Sequence, residues 1–169
     1  NHSKIIKDWQ LGDYLGIPFE KHLYNVLSRH MEKQYAGRVR VYATSASRDD
    51  GKDIIIESEV DIYNLMGHTF YLRGNKQIKI YIECKSSTNN KISLSQLAGN
   101  SSRVWDDCIQ CYVVVTNTTL APYTFYQFDK ALKDLNIEFV LVDQTLLIPY
   151  LIAQEAFIGN IKKDKFENL

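Results

Sequence analysis

Two periods of hydrophobic and polar residues run along the chain, and together they predict an α/β domain. Residues 77–86 alternate strictly, with apolar side chains at every second position from Ile78 to Cys84, so they predict a strand with one buried face. Residues 111–115 and 137–142 are continuous apolar runs, which are typical of strands buried on both faces. Three segments repeat apolar residues every three or four positions and predict helices: residues 17–35, 123–135 and 145–157.

The remaining elements complete the order α-β-β-β-α-β-α-β-α. Residues 39–41 and 52–60 predict two strands ahead of the alternating strand, and residues 93–105 predict a helix after it. Residues 61–76 are interrupted by two glycines and read as irregular, either an insertion or an extended hairpin. Because the early strands follow one another and the later strands alternate with helices, we expect a central mixed β-sheet with helices on both faces.

Composition and charge limit the classes of protein. The 169 residues fit a single domain with a core over about residues 17–157, and 45% hydrophobic with 24% charged residues exclude a disordered tail or a disulfide scaffold. Twenty basic residues balance twenty acidic ones, so any binding of nucleic acid must depend on local patches of basic residues. Residues 21–48 hold six basic residues against one acid, and residues 72–91 hold five against one. We therefore expect weak, salt-sensitive binding to nucleic acid.

The ends of the chain and its cysteines indicate a compartment. The chain has three cysteines, no opening signal peptide and no apolar run of membrane length, so we expect a cytoplasmic protein with no membrane segment. Because the sequence begins at Asn1 and not at Met, we interpret it as a domain excised from a larger multidomain protein. Cys108 and Cys111 form a lone C-x-x-C pair, which we expect to be core residues and not metal ligands.

Three acidic residues and one lysine occupy positions suited to chemistry. Glu83 and Lys85 are two residues apart on the alternating strand, so both side chains leave the same face. Asp53 opens the preceding strand and approaches Glu83 if the two strands pair as a hairpin. Glu20 lies near the start of the first helix in an inward-facing row, where an unpaired carboxylate is costly. We expect the four side chains to form one polar site.

Phosphodiester hydrolysis is the chemistry that this set suits. Mg²⁺ takes oxygen ligands and is usually held by one or two carboxylates, here Asp53 and Glu83, while Glu20 binds a second ion or holds metal-bound water. The ion lowers the pKa of a bound water and stabilises charge on the phosphate. We expect Lys85 to orient or help deprotonate that water and to neutralise the developing charge.

The ordered set Glu20, Asp53, Glu83 and Lys85 resembles the signature of the PD-(D/E)XK nuclease superfamily. One difference is that Lys52 stands where the signature has proline. Over about residues 17–152 the chain is most similar to the Mrr-like restriction endonuclease branch. Its later strand is matched by the segment Val113-Val114-Val115-Thr116-Asn117.

The resemblance implies a restriction-endonuclease-like fold and a metal-dependent endonuclease that cleaves DNA. It implies Mg²⁺ as the cofactor, with Mn²⁺ as a substitute, and Gln96 at the start of the following helix as a further site residue. It also implies an effector role in a restriction or antiviral defence protein, joined to a sensor, NTPase or targeting domain. Cleavage of both strands needs two sites, so a homodimer or a higher oligomer is expected.

Two alternatives stay open at the level of sequence. The chain is either the nuclease described above or a catalytically silent copy of that fold, which binds nucleic acid or protein. If it is a nuclease, RNA or branched DNA is as consistent with these residues as linear DNA.

Overall fold

A computed structural model describes residues 17–43, 54–72, 77–87, 91–92 and 109–159. Within these ranges the chain forms helices and strands in the order listed next. They are α1 (Ile17–Gln34), β1 (Val39–Ala43), β2 (Ile54–Ser58), β3 (Ile62–Leu65), β4 (His68–Leu72), β5 (Ile78–Lys85), β6 (Cys111–Thr116), α2 (Pro122–Lys133), β7 (Glu138–Val142) and α3 (Gln144–Gly159).

The five-stranded sheet is mixed, with the order β1-β2-β5-β6-β7. β1 and β2 are antiparallel, β2 and β5 are antiparallel, and β5, β6 and β7 run parallel to one another. Three parallel strands therefore end together, at Lys85, Thr116 and Val142, and β2 begins beside them because Ile54 pairs with Ile82. We call this end of the sheet the carboxyl edge.

Helices cover both faces of the sheet, as the sequence predicts. On one face, buried residues of α1 and α3 such as Leu23, Leu27 and Leu147 form a core with alternate residues of the strands. On the other face, Phe128 and Leu132 of α2 pack on the intervening residues. We name these two sides the α1/α3 face and the α2 face. Each strand of the sheet contributes residues to both cores. Packing on both faces therefore fixes the backbone of each strand, and with it the positions of the charged residues that the strand carries.

The segment that the sequence predicts as irregular is in part a regular hairpin. β3 and β4 form a separate two-stranded sheet joined by Met66 and Gly67, whose φ angles of 49° and 84° give the left-handed turn that hairpins favour. Asn64 Oδ1 accepts a hydrogen bond from the Gly67 amide at 3.2 Å. The Met66 side chain is buried in the α1/α3 core. This hairpin inserts two strands into the predicted order.

The other predictions of secondary structure agree closely with the structure. Each predicted strand or helix on described residues forms, with ends that differ by at most two residues. The helix predicted at residues 93–105 lies outside the described residues. None of the described helices combines the length and the apolar character needed to cross a membrane.

Candidate active site

Glu83 and Lys85 lie at the end of β5, the middle strand of the sheet. The strand alternates as the sequence predicts, since Ile82 and Cys84 enter the α1/α3 core while Tyr81 enters the core of the α2 face. Glu83 and Lys85 therefore project on the α2 face, next to the carboxyl edge. In parallel α/β sheets this edge is where ligands usually bind.

The Glu83 carboxylate differs from ordinary surface charges because it is buried. Its side chain has 0% exposure, whereas the side chain of Lys85 keeps 32%. The distance from Lys85 Nζ to Glu83 Oε1 is 3.8 Å, which is an ion pair but too long for a direct hydrogen bond. A buried charge needs compensation, and Lys85 supplies it while reaching toward the surface.

A tyrosine on the neighbouring strand completes the environment of Glu83. Tyr112 of β6 is fully buried, and its hydroxyl donates a hydrogen bond to Glu83 Oε2. Its ring stacks on Tyr81 with centroids 5.6 Å apart and planes 7° apart. Phe128 and Phe139 pack on the same ring, with centroids 6.3 Å and 6.2 Å away. The aromatic neighbours fix the direction of the hydroxyl, and each carboxylate oxygen of Glu83 therefore has a partner of its own.

Tyr112 is a site residue that the sequence reasoning missed. It lies within the continuous apolar run of β6, where an aromatic residue reads as core. Its hydroxyl is the available signal, because a buried tyrosine normally needs a hydrogen-bond partner. The identity of that partner depends on the parallel register, in which Tyr112 lies opposite Tyr81, two residues before Glu83.

Glu20 lies on the other layer of the molecule. It is half-buried in the first turn of α1, which packs on the α1/α3 face, whereas Glu83 projects on the α2 face. The four residues between α1 and β1 reverse the chain, so α1 runs back along the sheet. Its first turn therefore points toward the end where β1 finishes at Ala43 and pairs with Ile54. The structure therefore brings Glu83 and Lys85 together, while Glu20 lies on a helix that packs on the opposite face of the sheet.

Two predicted site residues lie outside the described part of the chain. Asp53 directly precedes Ile54, the first residue of β2, and Gln96 belongs to the segment between β5 and β6. Ile54 pairs with Ile82, the residue before Glu83, so β2 enters the sheet beside the buried carboxylate.

The turns at the carboxyl edge are held by side-chain hydrogen bonds. Asn117, which is 1% exposed, accepts the Ser87 amide at 2.9 Å and donates to the Ser87 carbonyl at 3.1 Å. Thr119 donates to Asp143 Oδ2 at 3.0 Å, and the other oxygen of Asp143 accepts the Thr145 amide in the first turn of α3. The chain just after Lys85 is therefore fixed to the chain that follows β6, which in turn is fixed to the start of α3.

One described carboxylate, that of Glu83, could serve as a metal ligand. Among the described residues no group of three or more His, Cys, Asp and Glu side chains comes together. Glu83 offers carboxylate oxygens, the ligand type that Mg²⁺ and Mn²⁺ accept, and a nearby lysine is compatible with phosphate chemistry. The donor chemistry thus fits a hard divalent cation, provided that a second carboxylate joins Glu83.

The cysteines behave as core residues. Cys84 and Cys111 are free thiols buried in the α1/α3 core, and burial strongly raises the pKa of Cys111. A protonated thiol is a poor metal ligand and a poor nucleophile. This agrees with the expectation that Cys111 packs in the core, while its predicted companion Cys108 lies outside the described residues.

Comparison with known proteins adds no assignment. The chain matches no protein-family model, no curated protein and no solved structure.

Proposed function

We propose that this chain is a metal-dependent endonuclease domain of the restriction-endonuclease-like class, which hydrolyses phosphodiester bonds in DNA. The observation that carries the proposal is the pair Glu83 and Lys85 at the carboxyl edge, where a fully buried carboxylate lies 3.8 Å from a partly exposed ammonium group. A buried carboxylate with a lysine at the end of a central strand is costly for a role in stability alone.

The architecture supports this reading. An antiparallel β1-β2-β5 unit is followed by a parallel β6, with helices on both faces. A mixed sheet with helices on both faces is compatible with the restriction-endonuclease-like fold that the resemblance to PD-(D/E)XK nucleases implies. The β3–β4 hairpin is an addition between β2 and β5.

We assign the residues as follows. Glu83 and Asp53 hold Mg²⁺ or Mn²⁺, and Glu20 holds a second ion or a metal-bound water. A bound divalent ion supplies positive charge near the scissile phosphate and lowers the pKa of water. Lys85 orients the attacking water and offsets charge on the phosphate, which is the usual task of a preorganised cation. Gln96 contacts the substrate or the water.

The proposed setting follows from the same resemblance. The domain acts in the cytoplasm as the effector of a restriction or antiviral defence protein, with recognition supplied by an attached sensor, NTPase or targeting domain. Two copies are needed to cut both strands, so we propose assembly of at least a dimer during double-strand cleavage.

A second function is favoured by one specific observation. Glu83 has 0% exposure and accepts a hydrogen bond from Tyr112, a setting that also suits a structural ion pair. A silent nuclease-like module that binds nucleic acid or protein would keep this fold without binding a metal. Calorimetric titration with Mn²⁺ separates the two functions, because the silent module gives no site-specific heat.

The main test is nicking of supercoiled plasmid DNA in Mg²⁺ by the 169-residue chain and by Lys85→Ala. We expect Lys85→Ala to lower the nicking rate by about 100-fold or more. Lys79→Ala is the matched control, because Lys79 lies on the same strand and face, six residues toward the other end. It should retain activity.

Three outcomes decide the proposal. Equal nicking by wild type and Lys85→Ala contradicts the assignment of Lys85. Absence of both nicking and Mn²⁺ binding favours the silent module. Cleavage confined to RNA or branched DNA in parallel assays keeps the chemistry and corrects the substrate.

A further inference from the structure

We infer that Tyr112 is a positioning residue for Glu83: its hydroxyl holds Oε2, so that Glu83 binds a divalent cation through Oε1, on the side of Lys85. This inference rests on the proposed function. It concerns a residue on β6 that the motif of acids and lysine does not include.

The first argument is geometric. Tyr112 and Glu83 are both fully buried and project on the same face from neighbouring parallel strands. The tyrosine ring is packed by Tyr81, Phe128 and Phe139, so it cannot turn its hydroxyl away without disturbing the aromatic core. The hydroxyl donates to one defined oxygen, Oε2.

The second argument concerns the two oxygens of the carboxylate. Lys85 Nζ is 3.8 Å from Oε1, beyond hydrogen-bond length, so the lysine gives charge and no directional bond. The hydrogen bond from Tyr112 is a directional contact, and it holds Oε2 while Oε1 faces Lys85. Partners that orient a ligating carboxylate typically change metal affinity or activity by about 10- to 100-fold when they are removed.

The matched control lies elsewhere on the same sheet. Tyr42 on β1 also donates its hydroxyl to a glutamate, Glu57, at 2.7 Å, but that pair is partly exposed, and Glu57 lies opposite Lys79, toward the end of β2 that is far from the carboxyl edge. Tyr42→Phe removes the same chemical group from the same type of contact. Tyr112→Phe removes only the hydroxyl and keeps the stacked ring.

The experiment measures binding first and activity second. The dissociation constant for Mn²⁺ is measured by calorimetry for wild type, Tyr112→Phe and Tyr42→Phe, and nicking is then followed against Mg²⁺ concentration. We expect Tyr112→Phe to weaken Mn²⁺ binding by about 10-fold and to regain most of the wild-type kcat at saturating Mg²⁺. Tyr42→Phe should leave both unchanged.

The outcomes distinguish this inference from the proposed function. If wild type neither binds Mn²⁺ nor cuts DNA, the proposed function fails and the inference fails with it. If wild type does both and Tyr112→Phe has the same Mn²⁺ affinity, only the inference is overturned. A lower kcat that saturating Mg²⁺ does not restore, at unchanged affinity, also overturns it, because it indicates a structural role.

A second variant covers the case in which Tyr112→Phe does not fold. Glu83→Asp withdraws the carboxylate from the Tyr112 hydroxyl by one methylene and leaves the aromatic rings intact. We expect it to weaken Mn²⁺ binding, and adding Tyr112→Phe to it, where the double variant folds, should cause no further loss. An unchanged Mn²⁺ affinity in Glu83→Asp contradicts the inference.

Discussion

The sheet carries a glutamate, a tyrosine and a basic side chain together twice, in two different environments. The inner trio is Glu83, Tyr112 and Lys85, and the outer trio is Glu57, Tyr42 and Arg40. In both, a tyrosine hydroxyl donates to a glutamate that also faces a cation, and both lie on the α2 face. The side chain of Glu83 has 0% exposure, whereas that of Glu57 has 18% and that of Arg40 has 70%.

The contrast shows how to separate a candidate site from an ordinary ion pair. The outer trio has the shorter ion pair, 2.6 Å against 3.8 Å, and Arg40 also lies over the Tyr42 ring at 4.9 Å. Solvent nevertheless screens it, so its free energy is small. The inner trio has the poorer pair geometry and the full cost of burial, so its ion pair is weak evidence for a role in stability.

The largest expected difference between the trios is in the free energy of unfolding after removal of each glutamate. Glu83→Ala leaves the Tyr112 hydroxyl buried without its acceptor and a cavity where the Glu83 side chain was, so we expect a loss of about 3 kcal/mol. Glu57→Ala should cost about 1 kcal/mol or less. Urea unfolding followed by circular dichroism measures both. Equal costs for the two variants would contradict the distinction between the trios.

Removal of the tyrosine hydroxyls should give a smaller difference in the same direction. Tyr112→Phe takes a hydrogen bond from a buried carboxylate, and we expect a cost of about 1.5 kcal/mol. Tyr42→Phe takes one from a partly exposed carboxylate that water can reach, and we expect about 0.5 kcal/mol. The same unfolding measurement applies, and a larger loss in Tyr42→Phe would reverse the ranking.

The outer trio should also show its own dependence on pH. The hydrogen bond from Tyr42, the largest cause, and the nearby Arg40 lower the pKa of Glu57, against an opposing effect of partial burial. Because the folded-state pKa is below the unfolded value of 4.5, the contribution to stability is present above about pH 4.5. It is lost as the pH falls through the folded-state pKa. The difference in unfolding free energy between wild type and Glu57→Gln should therefore narrow in acid, and a constant difference from pH 7 to pH 3 would count against it.

The smallest effect is expected for the exposed cation. Arg40→Ala should cost about 0.5 kcal/mol at low ionic strength, since exposed ion pairs contribute little. The cost should fall further when the salt concentration is raised to about 1 M, where charges are screened within about 3 Å. Thermal unfolding at two salt concentrations checks this. A cost that is larger than about 1 kcal/mol and insensitive to salt would mean that Arg40 stabilises mainly through its contact with the Tyr42 ring.

Most strands of the sheet are predictable from the local pattern of apolar and polar residues. The β3–β4 hairpin is a region where this pattern is not sufficient. The period of two in β5 predicts both its strand and the shared face of Glu83 and Lys85, because adjacent side chains must point in opposite directions. In β3 the neighbours Tyr63 and Asn64 are both exposed, and the pairing is irregular between Ile62 and Asn64. The break at Gly67 allows the extended hairpin that the sequence offers as one alternative, but a left-handed Met66 beside it does not follow from the sequence, since that conformation favours Gly or Asn.

The candidate site is predictable only in part, for a related physical reason. The positions of Glu83 and Lys85 follow from one strand, but the partner of Glu83 comes from another. Tyr112 meets Glu83 because β5 and β6 pair in parallel in one specific register, and that register is set by packing of two helical layers. The degree of burial of Glu83 likewise depends on α2 and its phenylalanines, which lie far along the chain.

The contact between Tyr112 and Glu83 has a consequence for the order of events in folding. It joins residues 29 positions apart, across a parallel pair of strands that a turn cannot connect. Such contacts form after the entropy of closing a long loop has been lost, so they belong to the slow part of folding. When synthesis has reached only the end of β5, Glu83 and Lys85 are present, but β6 with Tyr112 and the helix α2 are not. During synthesis Glu83 therefore has no hydrogen bond from Tyr112 until β6 is added and pairs with β5.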